Sequence, residues 1–330
     1  MATGKFFRQV QLPHQKSLDD GVLFPAVLNP NESTTLQLST FEEAIRANKP
    51  WLESLLVKSG AILFRGFPVV SPSDFNNVIE AFGFPELPYV GGQALRTHVV
   101  GRVYTANESP LDKGIPFHHE MAYVLDFPTK LIFFCEEEPE KGGETPIVLS
   151  HIIYEKMKER HPDFVAKLEK HGLNYIKIAD DGDDPSSSSG NGWKSAYKTD
   201  DKNVAEERAA KQGMRIEWTG NVAKMIVGPL PATRFDKESN KKTWFNSLAV
   251  AYGVSTSEKI ENRSSSLELG NGDPLVDDDV VKDMFKIMEE ECVVIPWKKG
   301  DVLLVNNLTV LHSRRPLIKP PRRVLASLCK

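Results

Sequence analysis

The chain is poor in cysteine, has no long apolar run and carries no excess of positive charge, and each shortage closes off a class of protein. Its three cysteines, Cys135, Cys292 and Cys329, lie far apart without paired spacing. That argues against a disulfide framework or a thiolate zinc site and fits reduced thiols packed as small apolar residues. No apolar stretch approaches the roughly 18 residues that a membrane-spanning helix needs. The opening MATGKFFRQVQLPHQ lacks the apolar core of an export signal, so a cytoplasmic protein is the expectation. The formal net charge is −4 and no basic stripe suggests nucleic acid as a partner. What remains is a soluble globular composition, 40% apolar and 26% charged over 330 residues, with length enough for a large core.

The order of elements suggests an α+β protein with one domain over 1–330. STFEEAI offers a capping box from Ser39 to Glu42 that starts a short helix, and Pro50 is expected to interrupt it before Gly60. AILFRGF reads as a buried strand, and SPSDFNNVIEAFG spaces Phe75, Val78, Ile79 and Phe82 as one helical face ending at Gly83. From Gly101 the pattern turns to short strands: GRVYTA, FHHEMAYV, KLIFFCEEE and TPIVLS. Ser150 is expected to cap a helix, and Pro162 and Gly172 bracket another. ADDGDDPSSSSGNG is a loop whose acidic residues lack calcium-loop spacing. MRIEWTG, AKMIVGP, KTWFNSLAVAY, ECVVIPW and DVLLVNNLTVLHS are read as further strands, with the amphipathic helix DDDVVKDMFKIMEE among them. No internal repeat is present.

One short stretch carries chemistry. In PFHHEMAY a strand would send His118 and Glu120 to one face and His119 to the other. Ferrous iron in many oxygenases is held by two histidines and one carboxylate with three positions left open, and His312, at the end of DVLLVNNLTVLH, is a candidate third ligand. Taken singly, each residue serves as readily as a satisfied strand histidine or a surface carboxylate. His14, His98, His151, His161 and His171 have no comparable constellation. Two features stand beside the trio: Gly142–Pro146 reads GGETP, and Arg323 follows His312 by eleven positions (323 − 312) in PPRRVLAS.

In combination these motifs resemble the TauD/TfdA family of Fe(II)- and 2-oxoglutarate-dependent dioxygenases, and FHHEMAY is similar to its clavaminate synthase branch. The resemblance runs from about Ala61 to the C-terminus. It implies a double-stranded β-helix, or jelly roll, with flanking and inserted helices, and a mobile lid within about 175–245. It implies His118, Glu120 and His312 as iron ligands, with 2-oxoglutarate and O2 as co-substrates. Arg323 would pair with the far carboxylate of 2-oxoglutarate, with Thr145 donating a hydroxyl hydrogen bond to it; Arg322, one residue away, is expected on the opposite face. The family reaction couples conversion of 2-oxoglutarate to succinate and CO2 with oxidation of a substrate C–H bond. Retention of Glu120 disfavours halogenation. Sulfonate-binding members carry a second arginine four residues after the first; Ser327 stands there, which disfavours taurine. The expected substrate is a small polar, amino-acid-like molecule, with Lys194, Arg234 and Asn246 as candidate contacts. A non-oxidative metalloenzyme and a non-catalytic binding protein are the competing readings.

Overall fold

Runs such as Ala61–Phe64, Lys130–Glu137 and Val302–Asn306 are apolar almost without a break, the pattern of strands covered on both faces. The structure, a computed structural model, describes residues 6–18, 20–31, 36–90, 92, 94–106, 108–186, 190–253, 265–275 and 278–330. In it these runs share an eight-stranded sheet. The order is Phe7–Val10, Ala26–Pro30, Ala61–Phe64, Val302–Asn306, Lys130–Glu137, Arg323–Cys329, Val103–Thr105 and His98–Val100. Only the contact between Ala26–Pro30 and Ala61–Phe64 is parallel.

Side chains alternate strictly across this sheet. Phe64, Val302, Leu304, Ile132, Phe134 and Leu325 join one apolar cluster with the helices Leu38–Ser59 and Pro72–Phe82. Leu63, Leu303, Val305, Phe133, Val324 and Ala326 join the other. That second face looks onto a three-stranded sheet ordered Ile147–Leu149, Val310–Arg314 and Ile115–His118. These two sheets are the walls of the jelly roll. A separate four-stranded sheet of Met214–Thr219, Val222–Leu230, Leu173–Ala179 and Ser265–Leu269 is inserted between them in sequence. Its Tyr175, Met225 and Val227 add to the same inner cluster. The helix Leu248–Gly253 packs against Ile115–His118. Among the described residues, no helix is long and apolar enough to cross a membrane.

Several local expectations are corrected. The first helix is continuous over Leu38–Ser59 with Pro50 inside it. A proline there costs about 3 kcal/mol, but Phe41, Ile45, Leu52 and Leu56, on both sides of Pro50, are buried along one face. The capping box uses Gln37 and Thr40 instead of Ser39 and Glu42. Ser150 is the first residue of its helix, Ser150–Arg160, with no capping hydrogen bond. KTWFNSLAVAY divides into a short strand, Lys241–Thr243, and the helix Leu248–Gly253. ECVVIPW forms no strand and contributes one bridge, Val293 to Ile147. DVLLVNNLTVLHS is two strands, Val302–Asn306 and Val310–Arg314, lying in different sheets. The polar turn between them carries much of the site's geometry.

Candidate metal centre and its cavity

The strand Ile115–His118 ends at its histidine, and the chain then turns, with Met121 at φ +57°. Glu120 therefore reaches the side chain of His118 from a turn and not from the next strand position. His312 arrives on the neighbouring strand, directly opposite His118 in register. One ligand atom from each of His118, Glu120 and His312 falls within 4.8 Å of the others. Glu120 Oε2 lies 3.7 Å from His118 Nε2 and 3.9 Å from His312 Nε2, and the two imidazole centroids are 4.2 Å apart. His118 Nδ1 lies 2.8 Å from the Pro116 carbonyl, a contact that places the ring proton on Nδ1 and leaves the Nε2 lone pair open.

Burial holds His312 well below the ordinary histidine pKa, reinforced by the adjacent His118. Burial alone would raise the pKa of Glu120, yet Arg96, His118 and His312 outweigh it and keep the carboxyl well below its usual range. A neutral imidazole and an ionised carboxylate are the forms a hard divalent cation needs, so the donor set fits ferrous iron.

His119 lines the cavity at this centre but contributes no atom to the group of three. The strand ends at His118, so this separation comes from the turn and not from strand alternation, and His119 is fully buried. Its Nδ1 lies 2.6 Å from the Asn307 carbonyl, and its ring sits 4.6 Å from that of Phe245. Burial lowers its pKa to about 3.

Two residues that sequence reasoning missed hold this arrangement. Asn307, in the turn between the two late strands, accepts from the Glu120 amide at 2.8 Å. It also donates to the carbonyls of Glu120 (3.0 Å) and Pro128 (2.7 Å). Arg96 donates to Glu120 Oε2 at 3.0 Å and stacks over the Tyr89 ring. Its side chain is 5% exposed, and its Nε and Nη1 have no hydrogen-bond partner among the described residues. Asn307 lies in an asparagine pair within an apparent strand and gave a turn signal that could have been read; Arg96 lies in a segment without any pattern.

The trio opens into a cavity whose walls include Arg96, Thr145, Tyr175, Ser247, Arg314 and Arg322. Here the expected arginine is corrected. Arg323 is 44% exposed and pairs with Glu136 at 2.5 Å on the outer side. Arg322 and Val324 line the cavity. The alternation argument was sound but its phase was off by one, and the pairing of this strand with Lys130–Glu137 shifts register between Arg323 and Val324.

The GGETP segment explains how Arg322 is seated. Its Nε donates to the Gly143 carbonyl at 2.6 Å. Gly143 has φ +70°, and a Cβ there would lie 2.6 Å from Arg322 Cδ. A Cβ on Gly142 would meet the Pro316 carbonyl at 2.4 Å. Both glycines let backbone approach where a side chain could not. The terminal nitrogens of Arg322 make no hydrogen bond to the described residues. Burial lowers its pKa to about 10, which still leaves a full positive charge. Thr145 accepts from Trp297 Nε1 at 3.0 Å, so its own hydroxyl proton remains available for donation. Arg314 is spent on structure, bonding Ser109, Pro110 and Lys113.

The three expected substrate contacts are not among the residues that line this cavity. Lys194 pairs with Asp181 at 2.9 Å, and Arg234 stacks over Phe127 and Phe245. Asn246 is buried, donating to the Ala232 carbonyl and accepting from the Leu248 amide. The physical reason is local: Lys194 and Asn246 find polar partners close by, and Arg234 sits over two aromatic rings.

Against known proteins, the family model described as taurine catabolism dioxygenase TauD, TfdA family matches residues 24–329. The chain belongs to that family. It is 55% identical over 327 residues, 98% of each chain, to a clavaminate synthase-like protein of Arabidopsis thaliana. It is 28% identical over 276 residues, 80% of each, to the dapdiamide synthesis protein DdaC of Enterobacter agglomerans. Among solved structures it resembles PvcB of Pseudomonas aeruginosa with a TM-score of 0.54 at 13% identity, covering 98% of this chain and 91% of that one. A taurine dioxygenase from Burkholderia xenovorans gives 0.53 at 14%, covering 98% and 90%. At such identities the structures speak for the fold alone.

Proposed function

We propose that His118, Glu120 and His312 hold ferrous iron, that Arg322 and Thr145 hold the far carboxylate of 2-oxoglutarate, and that the enzyme hydroxylates a small molecule bearing a carboxylate. The observation that carries this reading is the convergence of three metal-type donor atoms within 4.8 Å in the wall of the cavity that also contains Arg322 and Thr145. Iron bound there would supply activation of O2, with 2-oxoglutarate consumed to succinate and CO2 as the co-reductant.

The chain's own residues perform the rest. The end of the Arg322 guanidinium matches a carboxylate with two parallel N–H donors, which lysine could not reproduce. Trp297 fixes the Thr145 hydroxyl so that it adds a third donor to the same group. Asn307 locks the turn that presents Glu120, and Arg96 keeps that carboxylate ionised and oriented. Phe133, Val324 and Leu267 give the cavity apolar walls that exclude water from the reacting carbon. Among the described residues lining it, Glu120 is the one acidic side chain, while Arg96 keeps two guanidinium nitrogens without a partner among the described residues, so a substrate carboxylate would find a cation and a substrate ammonium only hydroxyls. That favours the acid end of an amino-acid-like molecule. With Arg322 as the co-substrate arginine, the position four residues on is Ala326 and not Ser327, and neither supplies a cation to a sulfonate.

Anaerobic addition of Fe(II) and 2-oxoglutarate tests the reading. A weak visible charge-transfer band is expected; its absence from folded protein, with no 2-oxoglutarate binding by calorimetry, would reject the proposal.

A further inference from the structure

Arg96 stands where the metal trio meets the cavity wall. Two contacts fix its buried guanidinium. Nη2 donates to Glu120 Oε2 at 3.0 Å, and Cζ lies 4.9 Å from the centre of the Tyr89 ring, whose hydroxyl accepts from the Ala94 amide at 2.9 Å. Nε and Nη1 have no hydrogen-bond partner among the described residues. A guanidinium meets a carboxylate along an edge of two nitrogens, and each such edge joins Nη2 to either Nε or Nη1. Glu120 takes one of the two Nη2 protons. The other belongs to the opposite edge, so one fork of parallel donors is left. Orienting Glu120 takes a single donor, which a neutral side chain could supply; a forked cation is more than that task needs.

Charge points the same way. Without metal, Arg96 and Glu120 offset each other. A divalent ion on the trio would be offset by the dianion 2-oxoglutarate, which leaves Arg322 as an excess cation among the lining residues. A buried charge is costly unless it is paired, and an arriving monoanion would restore the balance.

The open edge also sets where that anion would lie. Two acceptors on one nitrogen, each at about 2.9 Å and about 120° apart, stand roughly 5 Å from each other. A carboxylate on Arg96 would therefore sit close to Glu120 Oε2, and the carbons beside it would be those nearest the trio. The apolar remainder of such a molecule has Ile176, Val250 and Leu267 of the cavity wall to lie against.

We propose that Arg96 is the substrate's anchor: its open edge receives the carboxylate of a short aliphatic acid and presents the carbons next to that group to the His118–Glu120–His312 centre. This deepens, and rests on, the dioxygenase reading above.

The probes are linear monocarboxylates from propanoate to hexanoate, with primary amides of the same lengths as neutral controls. They are titrated anaerobically by calorimetry into protein loaded with Fe(II) and saturating 2-oxoglutarate, which keeps Arg322 occupied. At least one acid is expected to bind the wild type about ten- to hundred-fold more tightly than its amide. Arg96→Gln, which keeps a donor for Glu120 but no charge, should bring the acid down to the amide's affinity and leave the amide unchanged. The comparison of acid with amide is made within each protein, so a loosened fold does not imitate the result. If Arg96→Gln fails to hold iron by metal analysis, Arg96→Lys decides: it keeps the charge without the fork and should bind the acid more weakly than the wild type. The anchor is refuted if the wild type binds no acid more tightly than its amide, if Arg96→Gln keeps the preference, or if Arg96→Lys binds the acid as tightly as the wild type. A wild type that gives no charge-transfer band before any acid is added would instead strike at the dioxygenase reading itself.

Discussion

Replacing Arg322 and Arg323 one at a time separates two adjacent guanidinium groups that the sequence reading ranked in favour of Arg323 and the structure in favour of Arg322. Arg322 is anchored through Nε to Gly143 and leaves its terminal nitrogens to the cavity. Losing it removes two charge-assisted hydrogen bonds to a dianion in a shielded site. At about 1.5–3 kcal/mol for each such bond, and allowing for partial compensation by Thr145, the Arg322→Ala loss should be roughly 3–4 kcal/mol. That corresponds to a 2-oxoglutarate affinity lower by about 10²- to 10³-fold. Arg323 pairs with Glu136 in solvent, and such pairs are worth about 0–1 kcal/mol of stability. Arg323→Ala should therefore bind 2-oxoglutarate like the wild type. The assay is anaerobic titration of the Fe(II) protein, followed by the charge-transfer band and by calorimetry, with iron content measured for each variant. If Arg323→Ala loses affinity and Arg322→Ala does not, the assignment made from the strand phase is wrong.

Asn307→Leu would leave the Glu120 amide, the Glu120 carbonyl and the Pro128 carbonyl buried without partners. At about 1–3 kcal/mol each, denaturant unfolding should show a loss of at least about 3 kcal/mol; a loss under 1 kcal/mol would mean the turn is held otherwise. Gly143→Ala must accommodate both φ +70° and a contact at 2.6 Å with Arg322, so weaker 2-oxoglutarate binding is expected with iron content retained. Trp297→Phe removes the donor to Thr145 and should raise the 2-oxoglutarate midpoint by about three- to ten-fold, read from the same band. His118→Ala and His312→Ala should each abolish stoichiometric iron binding by metal analysis, whereas His119→Gln should cost folding stability but retain iron. Equal iron loss in all three would contradict the geometry of the trio.

The parts of this molecule that were legible in sequence are those set by a short period or by a special backbone. Apolar runs covered on both faces marked the central strands, and the spacing of Phe75, Val78, Ile79 and Phe82 with Gly83 as a stop marked a helix as expected. His118, Glu120 and His312 were visible because a family pattern joined three residues far apart in the chain. Arg322 was missed because a spacing counted from His312 does not register a local shift in strand pairing. Pro50 misled because propensity is local, whereas the packing that overrides it is not. Arg96 was invisible: its partner is twenty-four residues away, across a segment with no periodicity. The expected substrate contacts lie off the cavity for a related reason: Lys194 and Asn246 are engaged by polar groups near them in the fold, which sequence spacing does not reveal.

The proposed metal trio and Arg322 belong to the strands of the jelly roll and the turns between them, while Tyr175, Ile176 and Leu267, which line the same cavity, belong to the sheet inserted between those walls in the chain. On the proposed assignment, the residues that hold iron and co-substrate and the part of the cavity wall supplied by the inserted sheet occupy separate stretches of polypeptide. A transplant of residues 173–269 between relatives should carry the preference for a molecule along with it while the host keeps its iron.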